Sequence, residues 1–499
     1  MTSSRARIIW LCVNSITTAL LVVFLSVALL VEPNWVDISS FLSDASNLRF
    51  NYVLAIVCIT LIPLAYSFWR TYKSLKAVAG GQTVRVALVN ELTPIMLIIV
   101  YGGILALLVA LWGEDGVLVL RAIEYLSPVI FWGSTSVLIV ASYLILPWVT
   151  TAFRKLRGPM PQRSFVRIAA LALLVLGYGF VLAAPFLLVP SNVGQGSLPD
   201  KPLLIAHRGG SSLGPENTIE AAETSLSFGI RVIEIDVQIS LDGVPFLLHD
   251  DTLARTTDVA ERYPGNETKV ASSFIISQLR QLDAGSWFAE LDPYSTIASG
   301  VVSPTLADSY RGAMIPTLVE ALDFVKANGL LLDVDFKTPP SSHPFYSQYF
   351  NVCLSLLHGA GIDQQVWIAT ANEAWLNYTE SVASQMVSAL GVEGADAPSV
   401  SQFHAMGYDM LNSHHGLSND ILRNYEAGGV ILNAWTVNSV FRYSQLWCLG
   451  VDYVTTDYPQ SFSSMTQPVW YLPLPSYEAL WLAEYAIGFT AVVFLYRRK

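Results

Sequence analysis

The stretch LLIAHRGGSSLGPENT, residues 203–218, is followed by the apolar run VIEIDV at residues 232–237. A short apolar run, a helical pattern from Thr218 to Phe228 and a second apolar run are the rhythm of a parallel βα unit. Further apolar runs predict six more strands: Leu330 to Phe336, Val366 to Ala369, Val387 to Leu390, Met410 to Asn412, Val430 to Ala434 and Tyr453 to Thr456. Eight such strands in about 250 residues are typical of a (β/α)8 TIM barrel, an α/β fold.

The predicted barrel occupies residues 201–464, and its second and third strands are far apart in the chain. A long, irregular segment from about residue 251 to residue 314 separates them. Connections of this length without regular structure are uncommon within a compact domain. We therefore expect an inserted lobe beside the active site, which barrels of this class build at the carboxyl ends of their strands.

Three acidic side chains lie in the second and third predicted strands. Glu234 and Asp236 are two residues apart, so their side chains point to the same face of the strand. Asp335 on the neighbouring strand brings a third carboxylate alongside them. Oxygen ligands suit a hard cation, and the clustered cysteines and histidines of a structural zinc site are missing. The sequence therefore predicts a divalent metal site for Ca²⁺, with Mg²⁺ or another divalent ion as alternatives.

Imidazole and basic side chains follow the first three predicted strands. Phosphodiester cleavage needs charge neutralisation at the non-bridging oxygens, a base for the attacking hydroxyl and an acid for the leaving oxygen. His207 and His249 are predicted to supply the acid and the base, in an order that the sequence leaves open. Arg208 and Lys337 are predicted to contact the phosphate. Trp435 follows a later strand, where it either packs against the barrel rim or stacks on the substrate.

His207, Arg208, His249 and Trp435 lie in segments that resemble one known family, the glycerophosphodiester phosphodiesterases. The shared segments are His207-Arg208-Gly209, Pro215-Glu216-Asn217-Thr218, Glu234-Ile235-Asp236, Asp242-Gly243, His249-Asp250, Trp435-Thr436-Val437-Asn438 and Thr456-Asp457-Tyr458-Pro459. The resemblance covers residues 203–459 and implies a barrel in which His207 and His249 form the acid–base pair. It also implies that the two acidic residues of the second strand bind metal. Asp335 departs from the family pattern, because most members carry the longer Glu at that position.

The chain as a whole is too apolar for an ordinary soluble protein, since 53% of its residues are hydrophobic and only 13% are charged. Six apolar runs have the length that crosses a hydrocarbon core as a helix. The runs are Ile8–Val31, Tyr52–Trp69, Pro94–Trp112, Pro128–Val149, Ile168–Val189 and Ala479–Tyr496. We therefore predict five transmembrane helices in residues 1–200, and an interfacial connector with the sixth helix in residues 465–499.

Basic residues cluster at both termini and in alternate loops between these runs, as cytoplasmic segments do. The barrel is then expected to face the outside of the plasma membrane, where the sequon residues Asn266 and Asn377 would be glycosylated. Cys353 and Cys448 belong to the same domain, and an oxidising exterior permits a disulfide between them. The net charge of -11 argues against nucleic acid as a partner, since phosphate binding needs a basic surface.

Five spans, an exterior domain and a sixth span resemble the animal six-transmembrane branch of the family. This resemblance implies phospholipase C-type activity at the outer membrane face, on glycerophosphoinositol or on the glycosylphosphatidylinositol (GPI) anchors of cell-surface proteins. An inositol hydroxyl beside the phosphate is well placed for internal attack. Two alternatives stay open. One is glycerophosphodiesterase or lysophospholipase D-type hydrolysis, and the other is a receptor or scaffold that binds a lipid headgroup without cleaving it.

Overall fold

A computed structural model describes two compact units of the chain. The described residues are 10, 13–22, 24–25, 52–80, 88–111, 135, 139, 142, 176, 178–180, 182–190, 193–194, 196–393, 397–469 and 471–497. One unit is Leu198–Val469, and the other comprises Met1–Ser197 with Trp470–Lys499. The first unit carries every side chain that the sequence predicts for the active site.

The first unit is built on a closed barrel of eight parallel strands. They are β1 (Leu203–Ala206), β2 (Val232–Ile239), β3 (Leu331–Phe336), β4 (Val366–Thr370), β5 (Val387–Val392), β6 (Met410–His414), β7 (Ile431–Trp435) and β8 (Tyr453–Thr456). Each strand pairs with its neighbours in sequence, and β1 closes the barrel by pairing with both β2 and β8. The predicted eight-stranded barrel is therefore confirmed, and the predicted strand ends differ from the observed ones by two residues at most.

One helix follows each strand, either directly or after an insertion. The helices are α1 (Ile219–Ser227), α2 (Leu318–Asn328), α3 (Tyr349–Gly359), α4 (Glu373–Val382), α5 (Val400–Met406), α6 (Asn419–Ala427), α7 (Val440–Cys448) and α8 (Pro459–Ser463). Helix α2 begins with a capping box, in which Thr317 and Glu320 each accept from the other's backbone N–H. It ends before Gly329, whose φ of 59° is the left-handed conformation that terminates helices. Local sequence thus sets both ends of this helix.

Alternation along the strands divides their side chains between two layers. Ile233 and Ile235 of β2 face outward and belong to the large apolar core between the strands and the helices. Val232 belongs to a second apolar cluster, which fills the barrel interior and contains Ile205, Trp367, Ala369, Ala389 and Met410. Glu234 and Asp236 share the inward direction of Val232, because side chains two residues apart point the same way. The interior therefore changes from apolar to acidic along β2.

The segment between β2 and α2 forms the inserted lobe. Its first element is the short strand Pro245–Leu247, which pairs antiparallel with the end of β2. Four short helices follow: Val259–Arg262, Ile276–Leu279, Ser286–Leu291 and Pro304–Ser309. One small apolar core of the lobe surrounds Phe246, and a second contains Phe288 and Tyr310 together with Leu213 from the loop after β1. The lobe is thus packed against the barrel through that loop.

Both cysteines of the barrel unit are free thiols. Cys353 is buried in α3, and Cys448 is the last residue of α7. Burial raises the pKa of both thiols, so they stay protonated and act as small apolar side chains. The structure therefore does not form the disulfide that an oxidising exterior would permit.

The other unit contains long apolar helices. They include Tyr52–Gly80, Leu88–Leu111 and Leu474–Arg497, and a two-residue parallel pairing joins Val193–Gly194 to Leu472–Pro473. In the part of the chain that the structure describes, two stretches are long and apolar enough to cross a membrane, Leu54–Ser74 and Leu474–Phe494. The predicted run Pro128–Val149 lies almost entirely outside the described residues. The count of six spans therefore stays a prediction.

Candidate active site

The acidic cluster lies where β2 and β3 end side by side. These strands pair in register, with Asp236 opposite Asp335 and Glu234 two residues earlier on β2. Carboxylate oxygens of all three residues lie within 4.8 Å of one another. Glu234 and Asp236 are buried, whereas the Asp335 side chain is 44% exposed. The structure therefore brings together the three carboxylates that the sequence predicts.

Polar neighbours hold Asp236 in place. Asn217 donates from Nδ2 to Asp236 Oδ2 at 2.7 Å and accepts from the Asp236 backbone N–H at 2.9 Å. Lys337 Nζ lies 3.1 Å from Asp236 Oδ1 and 2.7 Å from Asp335 Oδ2. Burial opposes ionisation of Asp236, but the charges of Lys337 and Arg208 outweigh it and lower the pKa of this carboxyl. Asp236 is therefore an anion, with Lys337 as its closest cation.

Glu234 is buried among other acidic groups. Burial and the charge of Asp236 raise the pKa of Glu234 to about 8. One of its oxygens accepts from the Arg208 backbone N–H at 2.6 Å. A divalent cation would compensate the negative charge that three carboxylates concentrate here, and an all-oxygen donor set fits Ca²⁺ or Mg²⁺. The residues present therefore fit a hard divalent metal.

A tight turn after β1 directs His207 toward the acidic cluster. The turn is the 3-10 helix His207–Gly209, in which Arg208 has a left-handed φ of 53°. His207 donates from Nδ1 to Asp457 Oδ1 at 2.6 Å, and its Nε2 lies 4.0 Å from Glu234 Oε2. Burial opposes protonation of His207, but the charge and the hydrogen bond of Asp457 outweigh it and raise the pKa to about 9. Nε2 is thus the nitrogen nearest the predicted metal ligands.

Asp457 follows β8 and fixes this histidine. Ser211 Oγ donates to Asp457 Oδ1 at 2.6 Å, and Asn438 Nδ2 donates to Asp457 Oδ2 at 2.6 Å. The Asp457 backbone N–H donates in turn to Asn438 Oδ1 at 3.0 Å. Burial opposes ionisation of Asp457, but the charge and hydrogen bond of His207 outweigh it and lower the pKa of the carboxyl. A carboxylate held by uncharged donors therefore orients His207.

His249 follows the short strand of the lobe and is more open than His207. Its side chain is 33% exposed, compared with 17% for His207. It donates from Nδ1 to Asp250 Oδ1 at 2.9 Å. Asp250 also accepts from Arg255, at 2.6 Å from Nε and 2.8 Å from Nη2, and hydrogen bonds from Arg255 and His249 lower the pKa of Asp250. Each predicted catalytic histidine is thus held through Nδ1 by a carboxylate.

The two predicted phosphate contacts, Arg208 and Lys337, both lie beside the acidic cluster. Arg208 Nη1 donates to Glu216 Oε1 at 3.0 Å, and its Nε lies 3.6 Å from Asp236 Oδ2. The nearby carboxylates, with Glu216 the first among them, outweigh burial and raise the pKa of Arg208. Both side chains are therefore cations at the rim of the cluster, and their contact with phosphate stays a prediction.

A cavity of about 690 Å³ opens at this end of the barrel. Its lining includes His207, Glu234, Asp335 and Trp435, and the other four predicted site residues lie outside that lining. Trp435 donates from Nε1 to the backbone oxygen of Asn412 at 3.2 Å. Trp435 therefore packs at the barrel rim while one part of its surface borders the cavity.

The sequence that builds this geometry matches one known protein family. Residues 207–461 match the model of the Glycerophosphoryl diester phosphodiesterase family. The chain belongs to this family. It is accordingly a phosphoric diester hydrolase whose substrate class is the glycerophosphodiesters, and the family that the sequence motifs predict is confirmed.

Two related proteins are similar to this chain along most of its length, and one solved structure is similar to about half of it. The glycerophosphodiester phosphodiesterase domain-containing protein 5 of Gallus gallus is 28% identical over 93% of this chain and 75% of its own length. The glycerophosphoinositol inositolphosphodiesterase of Mus musculus is 26% identical over 97% of this chain and 86% of its own length. A solved phosphodiesterase from Oleispira antarctica, in complex with the product sn-glycerol-3-phosphate, is 25% identical and covers 53% of this chain and 96% of its own, with a TM-score of 0.43.

One buried carboxylate of this phosphodiesterase site was not predicted from the sequence. Asp333 lies on β3 two residues before Asp335, so it points to the same face, and it lines the cavity. Its Oδ1 is buried and has no hydrogen-bond partner among the described residues. Burial and the charge of Asp335 raise the pKa of Asp333 to about 7. The two-residue alternation of the strand is the signal that identifies it.

Two charged residues that support the histidines, Asp457 directly and Arg255 through Asp250, were also missed. Asp457 directly follows a predicted strand and lies in a segment shared with the phosphodiesterase family, so its position was a usable signal. Arg255 lies in the irregular lobe, where no strand or helix pattern indicates its contacts. Only the structure shows that Arg255 bonds both Asp250 and Glu216.

Proposed function

We propose that this phosphodiesterase is metal-dependent and cleaves glycerophosphoinositol, or the GPI anchor of a cell-surface protein, by a phospholipase C-type reaction. The observation that carries the proposal is the convergence of three carboxylates with His207, whose Nε2 lies nearest to them. Similarity to a mouse glycerophosphoinositol inositolphosphodiesterase over 97% of this chain supports the inositol headgroup.

Glu234, Asp236 and Asp335 would hold the metal. A bound divalent cation supplies charge neutralisation at the non-bridging oxygens of the phosphate. Arg208 and Lys337 flank the same carboxylates and would contact those oxygens from the protein side. We favour Ca²⁺ over Mg²⁺, because three carboxylates leave several positions to water and phosphate, and Ca²⁺ tolerates such flexible coordination.

His207 and His249 would move the protons. Each donates from Nδ1 to a carboxylate, which leaves Nε2 for the reaction. One imidazole takes the proton of the attacking hydroxyl, and the other gives a proton to the leaving oxygen. In glycerophosphoinositol the attacking hydroxyl is the inositol hydroxyl beside the phosphate, so the bond from phosphorus to the glycerol oxygen breaks and a cyclic inositol phosphate forms. Water then opens the cyclic diester to inositol phosphate.

The cavity suits an uncharged polyol headgroup. Its lining includes Thr370, Glu373, Glu393 and Asn412, each of which offers an oxygen that accepts hydrogen bonds from hydroxyl groups. Among the described residues, no lysine or arginine side chain lines it. Inositol or an anchor glycan presents many hydroxyl donors and would be held there, whereas a headgroup with a second phosphate would meet acidic side chains.

The same glutamates favour a second candidate, a glycerophosphodiester or lysophospholipid with a cationic headgroup. Glu373 and Glu393 are exposed carboxylates on the cavity lining and would attract an ammonium group. Trp435 borders the same cavity and offers an aromatic face for a cation. Glycerophosphodiesterase or lysophospholipase D-type cleavage would leave the phosphate on the glycerol side, so the products distinguish the two candidates.

We place the barrel outside the plasma membrane, between five spans in residues 1–200 and a sixth in residues 465–499. The alternation of basic loops, the two long apolar helices and an exposed sequon at Asn377 support this arrangement. Treating intact cells with a glycosidase tests it. A mobility shift that disappears in the Asn266→Gln, Asn377→Gln variant supports an exterior barrel, and no shift contradicts it.

The decisive experiment measures products from glycerophosphoinositol with purified full-length protein. Inositol phosphate and glycerophosphate are quantified with Ca²⁺, Mg²⁺ or chelator, for the wild type, His207→Ala and His249→Ala. His358→Ala is the matched control, since His358 is an exposed histidine that pairs with Asp363 away from the site. We expect metal-dependent inositol phosphate release that requires both site histidines and does not require His358.

Any other outcome of this experiment would support a different function or a different mechanism. Glycerophosphate as the product would shift the assignment to the glycerophosphodiesterase reaction, and activity that survives chelation would reject the metal. If the wild type is inactive on glycerophosphoinositol, lysophospholipids and GPI-anchored protein, binding without cleavage becomes the better account.

A further inference from the structure

Arg255 of the inserted lobe joins two carboxylates that belong to different parts of the site. Its guanidinium donates from Nε and Nη2 to Asp250, at 2.6 and 2.8 Å. It also donates from Nη1 and Nη2 to Glu216, at 2.8 and 2.6 Å. Four hydrogen bonds to two carboxylates fix a planar guanidinium in both position and orientation. Asp250 and Glu216 are therefore held at a set separation.

Both partners of Arg255 reach residues that the proposed function uses. Asp250 accepts from His249 Nδ1 at 2.9 Å. Glu216 is buried and accepts from Arg208 Nη1 at 3.0 Å. A continuous chain of charged hydrogen bonds thus runs from a predicted phosphate contact to a predicted acid–base group. Arg255 is the central member of this chain, and it lies outside the cavity lining.

The lobe supplies a support for this arginine. The Arg255 guanidinium carbon lies 5.9 Å from the centre of the Trp287 ring. The indole is itself fixed, because Trp287 donates from Nε1 to the backbone oxygen of Ala284 at 2.9 Å. Trp287 also packs beside the lobe core that contains Phe288. The position of Arg255 is therefore set by the fold of the insertion.

We propose that Arg255 is a positioning residue for His249, through which the inserted lobe assembles the second half of the acid–base pair. The inference rests on the proposed function, in which His249 transfers a proton. Without Arg255, the Asp250 carboxylate loses two hydrogen bonds and keeps the one from His249, so the carboxylate and the imidazole are no longer held in one orientation. The hydrogen bonds of Arg255 go to Asp250 and Glu216 and not to the three predicted metal ligands, so we expect those ligands to keep their positions.

A role in stability alone is a weaker account. The Arg255 side chain is 44% exposed, and ion pairs that water reaches contribute little to the free energy of unfolding. Partners that orient a reacting group have larger effects on turnover, on the order of 10- to 100-fold. We therefore expect Arg255→Gln to lower kcat by about 10- to 100-fold, with KM nearly unchanged.

A double-mutant cycle with His249 tests whether Arg255 acts through that histidine. The substrate is glycerophosphoinositol, whose unactivated glycerol leaving group keeps the reaction dependent on both histidines, and single-turnover rates at high enzyme concentration keep the slow variants measurable. We compare full-length wild type, Arg255→Gln, His249→Ala and the double variant. If Arg255 only positions His249, its substitution has no further effect once His249 is absent, and the double variant is as active as His249→Ala.

Two further variants separate positioning from general damage. Arg255→Lys keeps the charge but loses the fork that contacts two carboxylates, so we expect it to recover only part of the activity. Arg262→Gln removes another lobe arginine, which donates only to the backbone oxygen of Gln281, and should leave kcat and Tm unchanged.

Several results would overturn the inference. Equal losses of kcat from Arg255→Gln in the presence and absence of His249 would show that Arg255 acts independently of His249. A raised KM with normal kcat would show that Arg255 acts through Glu216 on Arg208, the predicted phosphate contact. A loss of kcat accompanied by a marked fall in Tm would assign Arg255 to stability. If His249→Ala itself keeps full activity, the proposed function fails, which is a separate result from failure of the cycle.

Discussion

Both histidines of the site donate from Nδ1 to a carboxylate, but the two pairs lie in different regions of the molecule. His207 belongs to the barrel, and its carboxylate partner Asp457 is held by uncharged donors at the ends of barrel strands. His249 belongs to the lobe, and its partner Asp250 is held by an arginine of the same insertion. The barrel histidine is therefore fixed by strand geometry, and the lobe histidine by contacts that depend on how the insertion folds.

The largest expected effect is the fall in kcat when either histidine is replaced, and it tests whether the two histidines have different roles. His207→Ala and His249→Ala should each lower kcat on glycerophosphoinositol by about 100- to 10,000-fold, the usual contribution of acid–base catalysis. With the activated leaving group of bis(p-nitrophenyl) phosphate, the variant that lacks the acid should regain most of its activity. Steady-state rates on both substrates make the comparison, and equal recovery of both variants would contradict distinct roles.

Replacing the carboxylate partner should lower kcat more for His207, whose partner is Asp457, than for His249, whose partner is Asp250. We expect Asp457→Asn to lower kcat by about 100-fold, because the Asp457 carboxylate is the hydrogen-bond partner that orients His207 through Nδ1. Asp250→Asn should cost about 10-fold, since Asp250 is more exposed and its charge is already shared with Arg255. Rates measured side by side at saturating substrate decide this, and a larger loss for Asp250→Asn would reverse the ranking.

The pair of His207 and Asp457, whose side chains are 17% and 13% exposed, should make stability depend on pH. Folding raises the pKa of His207 to about 9, so its contribution is complete below its unfolded value and is lost as pH rises through about 9. Folding lowers the pKa of Asp457, so its contribution is lost only in acid. Asp457→Asn should therefore reduce stability by on the order of 3 kcal/mol near pH 6 and by less near pH 10. Thermal unfolding with chelator present at both pH values measures this, and a constant difference would contradict it.

The smallest expected effect concerns one hydrogen bond of the barrel region. Ser211→Ala removes one donor to Asp457 Oδ1 but leaves the donors His207 and Asn438. One such bond contributes about 1 kcal/mol, so kcat should fall only a few-fold. Arg255→Gln, which removes two bonds from Asp250, should cost more. Steady-state kinetics of both variants under one set of conditions checks the order, and a larger loss for Ser211→Ala would show that the barrel support is the weaker one.

Much of the barrel and of the acidic cluster follows from local pattern. Glu234 and Asp236 interrupt the apolar run from Val232 to Val237 at a spacing of two, and this spacing alone predicts that both side chains point to the same face of the strand. Thr218 begins α1 as an N-cap, and the strand ends follow the apolar runs to within two residues. Asp333 obeys the same alternation, so its inward direction was equally predictable from the spacing to Asp335.

The contacts of Arg255 and Asp457 could not be predicted in this way. Asp457 reaches His207 across 250 positions of sequence because the closed barrel places β8 beside β1. Arg255 reaches Glu216 from an insertion whose turns carry no periodic signal. In both cases the partners are far apart in sequence, and only the closure of the barrel or the packing of the lobe brings them together.

The sequence by itself determined the family and the eight strands, and it predicted an acid–base pair and a set of metal ligands, because these depend on residue type and on spacing within single strands. The tertiary structure decided that Asp457 orients His207, which side chains border the cavity, and that Cys353 and Cys448 remain free thiols. Those features depend on distances between segments remote in sequence, and such distances exist only once the barrel closes and the lobe packs against it.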